Sequence, residues 1–153
     1  LTNATEDRSH FGAWAITSSP LILGFDLTNK ELMERAWPII TNKEVLGVSQ
    51  TWAGHPGFNV LDEVTYKAWQ KPLGERQHAL FIMSNASMPI SVSIPLGMVS
   101  PDLNASGISV KARNIYAHAD LGPLPGGTFD TQLQPHDSVM VTLWPELETV
   151  RAQ

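Results

Sequence analysis

Ser19-Pro20-Leu21-Ile22-Leu23-Gly24-Phe25-Asp26 contains a continuous apolar run, Pro20–Gly24, that is too short for a helix. Such a run reads as a parallel β-strand covered on both faces. Upstream, Asn3-x-x-Glu6 forms a capping box that opens a helix at Asn3 or Thr5, with Phe11, Trp14, Ala15 and Ser18 as its apolar face and Pro20 as its stop. Downstream, Asp26 stands at the C-terminal end of the strand, and Thr28-x-x-Glu31 is a second capping box leading into a helix through Leu32, Met33 and Trp37. Helix, buried strand, helix is an α/β pattern, and a parallel strand needs neighbours on both sides. Left alone, it would have roughly ten backbone groups unpaired; at ~1–3 kcal/mol for each buried, unmade bond the cost exceeds the ~5–15 kcal/mol that holds a domain together. The neighbouring strands are therefore expected from another polypeptide segment.

From Val45 the periodicity changes to short apolar runs between turns, the pattern of an antiparallel sandwich or barrel. The expected strands are Val45–Ser49, Phe58–Val60, Tyr66–Gln70, Ala79–Ser84, Ile90–Ile94, Ile108–Asn114, Thr128–Leu133 and Ser138–Leu143. Turn chemistry marks Pro72–Glu75, Ser84–Ser87, Leu103–Gly107, Pro123–Gly127 and Pro135–Asp137, and Ala53–Gly57 reads as the linker between the two regions.

Of the 153 residues, 42% are apolar and 16% charged, which suits a packed core. A net charge of −5, with 10 Lys and Arg scattered singly, offers no basic stripe for nucleic acid. No run approaches the ~20 apolar residues of a membrane span. Without cysteine there is no disulfide framework, thiolate nucleophile or thiolate metal site. The sequons Asn3-Ala4-Thr5, Asn85-Ala86-Ser87 and Asn104-Ala105-Ser106 point to a secreted, lysosomal, vacuolar or other luminal location.

Four strings, in order, resemble glycoside hydrolase family 27, the α-galactosidases and α-N-acetylgalactosaminidases. They are Arg8–Ile16 with Ser19–Leu27, then Asn42–Gln50, then Val110–Gly122, then Pro135-His136. The resemblance implies that residues 1–52 are the last βα segment of a (β/α)8 TIM barrel and that residues 53–153 are an antiparallel, Greek-key β-sandwich. It also implies retaining hydrolysis of terminal α-galactosides by the complete protein, with no cofactor. Both catalytic aspartates of that family lie on earlier barrel strands, so no catalytic residue is expected in this chain. Its partner would be the upstream barrel, as a separate chain or a processed half of the same precursor. Gln50-Thr51-Trp52 and Asn114 depart from the family's usual Gln-Asp-Pro and Asp, the mark of a divergent member.

Phe25 and Asp26 are the candidates for the rim of the sugar pocket, because barrel sites lie at the C-terminal ends of strands. The plainer role for Asp26 is to accept hydrogen bonds from backbone near Thr28. Leu1 falls where the family has a loop near the pocket. His10, His55, His78, His118 and His136 share no metal-ligand spacing, so no metal site is expected. Trp14, Trp37 and Trp69 fit core periodicities, while Trp52 and Trp144 are less committed. Asp62-Glu63, Glu146 and Glu148 read as solvated surface. Two other functions fit the sequence: a non-catalytic structural or interaction subunit of a larger assembly, and an autonomous carbohydrate-binding sandwich spanning residues 53–153.

Overall fold

The computed structural model describes residues 3–104, 108–124 and 127–146. Leu1, Ala105, Ser106, Glu148 and parts of the turns at 103–107 and 123–127 lie outside them. Three helices come first, α1 (Ala4–Ile16), α2 (Lys30–Ile40) and α3 (Lys43–Gln50). Strands β1 (Phe58–Asp62), β2 (Tyr66–Gly74), β3 (Gln77–Ser84) and β4 (Ile90–Pro95) follow. A short helix α4 (Leu96–Val99) and a 3-10 turn at Pro101–Leu103 precede β5 (Ser109–Asn114), β6 (Ala119–Pro123), β7 (Thr128–Leu133) and β8 (Ser138–Glu146). A six-stranded antiparallel sheet in the order β1-β2-β3-β8-β5-β6 faces a two-stranded sheet of β4 and β7, giving the expected sandwich.

Alternation along the central strands sends side chains into two separate cores. Ala68, Ile82 and Val139 lie opposite one another across β2, β3 and β8 and face the β4–β7 layer, where they meet Val92, Ile94, Phe129 and Leu133. One residue along each strand, Trp69, Phe81 and Met140 form the matching row on the other face and meet Ala15, Ile16, Val45 and Val48 of α1 and α3. This is why Ala79–Met83 reads as an unbroken apolar run rather than an alternating one: both faces of β3 are covered. Contact with the helices is close. A Cβ on Gly12 would fall 2.2 Å from the Tyr116 hydroxyl oxygen, and one on Gly57 would fall 2.2 Å from the backbone oxygen of Ile16.

Several expectations are corrected. Val45–Ser49 is helical, because Asn42 caps α3 through the backbone N–H groups of Glu44 and Val45 and turns Val45 and Val48 onto the sheet. The cap of α2 is Asn29, whose Oδ1 accepts from Leu32 N, and not Thr28. Asn3 does cap α1, accepting from Glu6 N at 2.9 Å. The buried face of α1 is Ser9, Gly12, Ala15 and Ile16, while Phe11 is half-buried and Trp14 exposed. Trp37 is 56% exposed, so it is no core residue of these elements. β2 runs through Pro72 to Gly74, and the turn falls on Glu75 and Arg76, both at positive φ. Pro72 is tolerated because β1 pairs only as far as Gln70, leaving that edge open.

Leu21–Gly24, read as a buried strand, joins no ladder, and among the described residues residues 20–25 make no backbone–backbone hydrogen bond. Ile22 is 73% exposed and Leu23 46% exposed.

Candidate functional site: a cleft between the first two helices

Because α1 buries Ser9, Gly12, Ala15 and Ile16 against the sheet, its other face carries Asp7, His10, Phe11 and Trp14 at helical spacing. α2 turns Leu32, Arg35, Ala36, Ile39 and Ile40 toward that row, and Ile22–Phe25 closes one side. The three segments enclose a largely apolar cleft of about 490 Å3. Its polar groups are few. Arg35 Nε donates to Asp7 Oδ2 at 2.7 Å and ties α2 to α1, and His10 stacks edge-on against Trp14 at 4.5 Å between ring centroids.

Of the two residues expected at a pocket rim, Phe25 lines this cleft and Asp26 does not. Asp26 is exposed, and its Oδ1 accepts from Thr28 N at 2.8 Å and from the Thr28 hydroxyl at 2.7 Å. Those bonds, the hydroxyl first, hold its carboxyl below the usual range, so it stays ionised. The histidines are dispersed: among the described residues no three His, Asp or Glu side chains gather as metal ligands would.

Two polar clusters escape sequence reading, and both attach the helices to the sandwich. Lys71 is fully buried in β2, and its Nζ donates to the Ser18 hydroxyl at 2.7 Å, to Ser49 O at 3.1 Å and to Val48 O. It thus supplies donors to carbonyls at the C-terminal end of α3, where a positive charge also suits the helix dipole. Burial alone pulls the ammonium's pKa below its ordinary value.

The second cluster is a fork. Arg113 on β5 donates to both carboxylate oxygens of Glu44 on α3, at 2.8 and 2.9 Å, and to Asp120 at 2.9 Å. His118 Nδ1 lies 2.6 Å from Glu44 Oε1. Asn42 adds a bond from its Nδ2 to Ile115 O at 2.9 Å. The Arg113 bonds, followed by His118, bring the Glu44 carboxyl down to about 2.

A depressed folded pKa means that the unfolded chain binds more protons as the solution turns acidic. The Glu44 contribution is therefore complete above its ordinary value of 4.5 and is lost as the pH falls through about 2. Glu44→Gln is expected to cost about 1–2 kcal/mol at neutral pH, after discounting charged hydrogen bonds for solvent exposure. Urea titrations at neutral pH and near pH ~2 check this, with the gap between variant and parent closing in acid.

Comparison with known proteins follows the same lines. Residues 63–143, more than half of the chain, match the family described as the alpha galactosidase C-terminal beta sandwich domain. Alpha-galactosidase 3 of Arabidopsis thaliana is 28% identical over 144 residues, covering 92% of this chain and 32% of the relative. Alpha-galactosidase 2 of the same plant is 30% identical over 138 residues, covering 90% and 33%. Among solved structures, alpha-galactosidase I from Mortierella vinacea superposes with a TM-score of 0.83 at 21% identity, covering 93% of this chain and 36% of that one. A family 27 β-L-arabinopyranosidase from Geobacillus stearothermophilus gives 0.81 at 26% identity, covering 99% and 32%. This chain spans about a third of the length of these relatives. The chain belongs to glycoside hydrolase family 27, the α-galactosidases, and its sandwich is that family's C-terminal β-sandwich domain.

Proposed function

We propose that this chain is the C-terminal portion of a retaining glycoside hydrolase acting on terminal α-galactosides. In this reading residues 1–52 are the last strand-and-helix segment of a (β/α)8 barrel whose other strands come from upstream polypeptide. The observation that carries it is the Leu21–Gly24 run, apolar and without backbone partners, beside a cleft whose walls are themselves apolar. Flanking strands would satisfy its amides and cover Ile22 and Leu23 together.

Retaining hydrolysis needs two carboxyl groups ~5–5.5 Å apart, one as nucleophile and one as acid and base. The cleft lining offers one carboxylate, Asp7, which is held by Arg35. Asp26 is taken up by Thr28. In family 27 both catalytic aspartates lie on earlier barrel strands, so in this reading the catalytic pair comes from upstream polypeptide. The part left to this chain is support: Phe25 at the carboxyl end of the run borders the sugar pocket, Asp26 holds the turn that follows it through Thr28, and the sandwich braces the barrel through α1 and α3. The sequons fit a secreted or luminal protein.

The test is turnover. The complete protein is expected to hydrolyse an aryl α-D-galactoside, and NMR is expected to show α-galactose as the first anomer released. Residues 1–153 alone are expected to show no rate above buffer. An aryl β-L-arabinopyranoside, the substrate class named for the Geobacillus relative, belongs beside it because that sugar differs from galactose only at the exocyclic carbon. Turnover by this chain alone, or inversion by the complete protein, would contradict the proposal. Peptide mapping that finds only unrelated subunits with the native protein would favour the non-catalytic subunit instead.

A further inference from the structure

We infer that Asn85 is the N-glycan acceptor of this chain, and that the glycan covers an exposed apolar pair beside it, Val64 and Met88. All three sequons meet the sequence rule, but the folded chain treats them differently. Asn3 Oδ1 caps α1 and Thr5 lies inside that helix. Asn104 is exposed too, but its Nδ2 sits close against α4, where a Cβ on Gly97 would lie 3.0 Å from it, so that helix crowds a sugar on that nitrogen.

Asn85 is exposed in the turn between β3 and β4, and Ser87 is exposed two residues on. The turn is held by its backbone, Asn85 N donating to Thr65 O at 2.8 Å and Ala86 N to the Ser84 hydroxyl at 3.2 Å. Among the described residues the Asn85 side chain makes no hydrogen bond, so its amide is available without loss of a structural contact.

The second observation is the surface around it. Val64, next to the Thr65 that receives the Asn85 amide, is 92% exposed, and Met88 is 70% exposed. A sugar core at Asn85 is expected to shield both, because Val64 adjoins the Thr65 whose carbonyl takes Asn85 N and Met88 follows in the same turn. The donor is a lipid-linked oligosaccharide. The Asn85 amide nitrogen forms a bond to the anomeric carbon, the carbon–oxygen bond to the polyprenyl diphosphate breaks, and the diphosphate leaves with the electron pair. The amide proton passes to a base of the transferase.

The inference requires passage through a secretory lumen and not glycosidase activity, so its failure and that of the galactosidase reading are separable in one preparation. The protein secreted by a eukaryotic host is treated with peptide N-glycosidase in heavy-oxygen water and mapped by mass spectrometry. The expected result is a heavy Asp at position 85 and unmodified Asn at positions 3 and 104. Label absent from position 85, or present at either other sequon, overturns it. Ser87→Ala, which keeps Asn85 itself, is expected to abolish the label and to raise the aggregation rate several-fold. Adding Val64→Ser and Met88→Ser to that variant is expected to restore the parental rate. A label that survives Ser87→Ala, or an aggregation rate unchanged by loss of the glycan, also overturns the inference.

Discussion

Residues 53–153 expressed without residues 1–52 are expected to aggregate or remain partly unfolded, although every strand of both sheets is retained. The reason is the second core. Phe81, Ile115 and Met140 are fully buried, and they share that core with Ala15, Ile16, Val45 and Val48 of α1 and α3. At ~1.5–3 kcal/mol for each large apolar side chain, re-exposing Phe81, Ile115 and Met140 costs roughly 5–9 kcal/mol. That is comparable to the whole ~5–15 kcal/mol stability of a domain. The Glu44–Arg113 fork, the Asn42–Ile115 bond and the acceptors of Lys71 are lost as well. Circular dichroism and size-exclusion chromatography of the truncated protein check this. A folded, soluble product of residues 53–153 would show that the helices only rest on the sheet, and would reopen the reading of an autonomous binding sandwich.

Lys71→Met carries the second large effect. Methionine fills nearly the same volume, so the change tests the donors and not the packing. It leaves the carbonyls of Val48 and Ser49 without the ammonium at the end of α3. Each buried acceptor left unpaired costs ~1–3 kcal/mol, partly offset because a desolvated charge is removed. The expected net loss is about 2–4 kcal/mol, read as a shift of the urea midpoint with unchanged slope. Amide exchange is expected to rise first in α3.

Much of the sandwich was legible because its physics is local. Ile90–Ile94 and Thr128–Leu133 alternate, one face on the core and one toward solvent, and turn residues bracket both. β6 was missed because Ala119–Pro123 is an edge strand with mainly exposed side chains, so it carries no apolar signature. α3 was misread because Val45 and Val48 favour strands by type, whereas the Asn42 cap and the sheet beneath decide for helix. α1 defeated a one-face reading because one stripe meets the sheet and the other meets the cleft.

Phe25, named from its place at the end of an apolar run, lines the cleft, and Asp26, named with it, does not. Lys71 and the Glu44–Arg113 fork, which tie the helices to the sandwich, carried no signal in the sequence. A lysine within a strand reads as surface, and Glu44 and Arg113 are 69 positions apart, beyond any periodicity.

Hydrogen exchange at Leu21–Gly24 tests the central claim most directly. Residues 1–153 alone are expected to exchange these amides at nearly the rate of an unstructured peptide, since residues 20–25 make no backbone hydrogen bond among the described residues. In the complete protein the same amides are expected to be among the slowest, held by flanking strands. Strong protection already present in the isolated chain, or fast exchange persisting in the complete protein, would contradict the claim that this run is an inner strand completed by polypeptide from outside it.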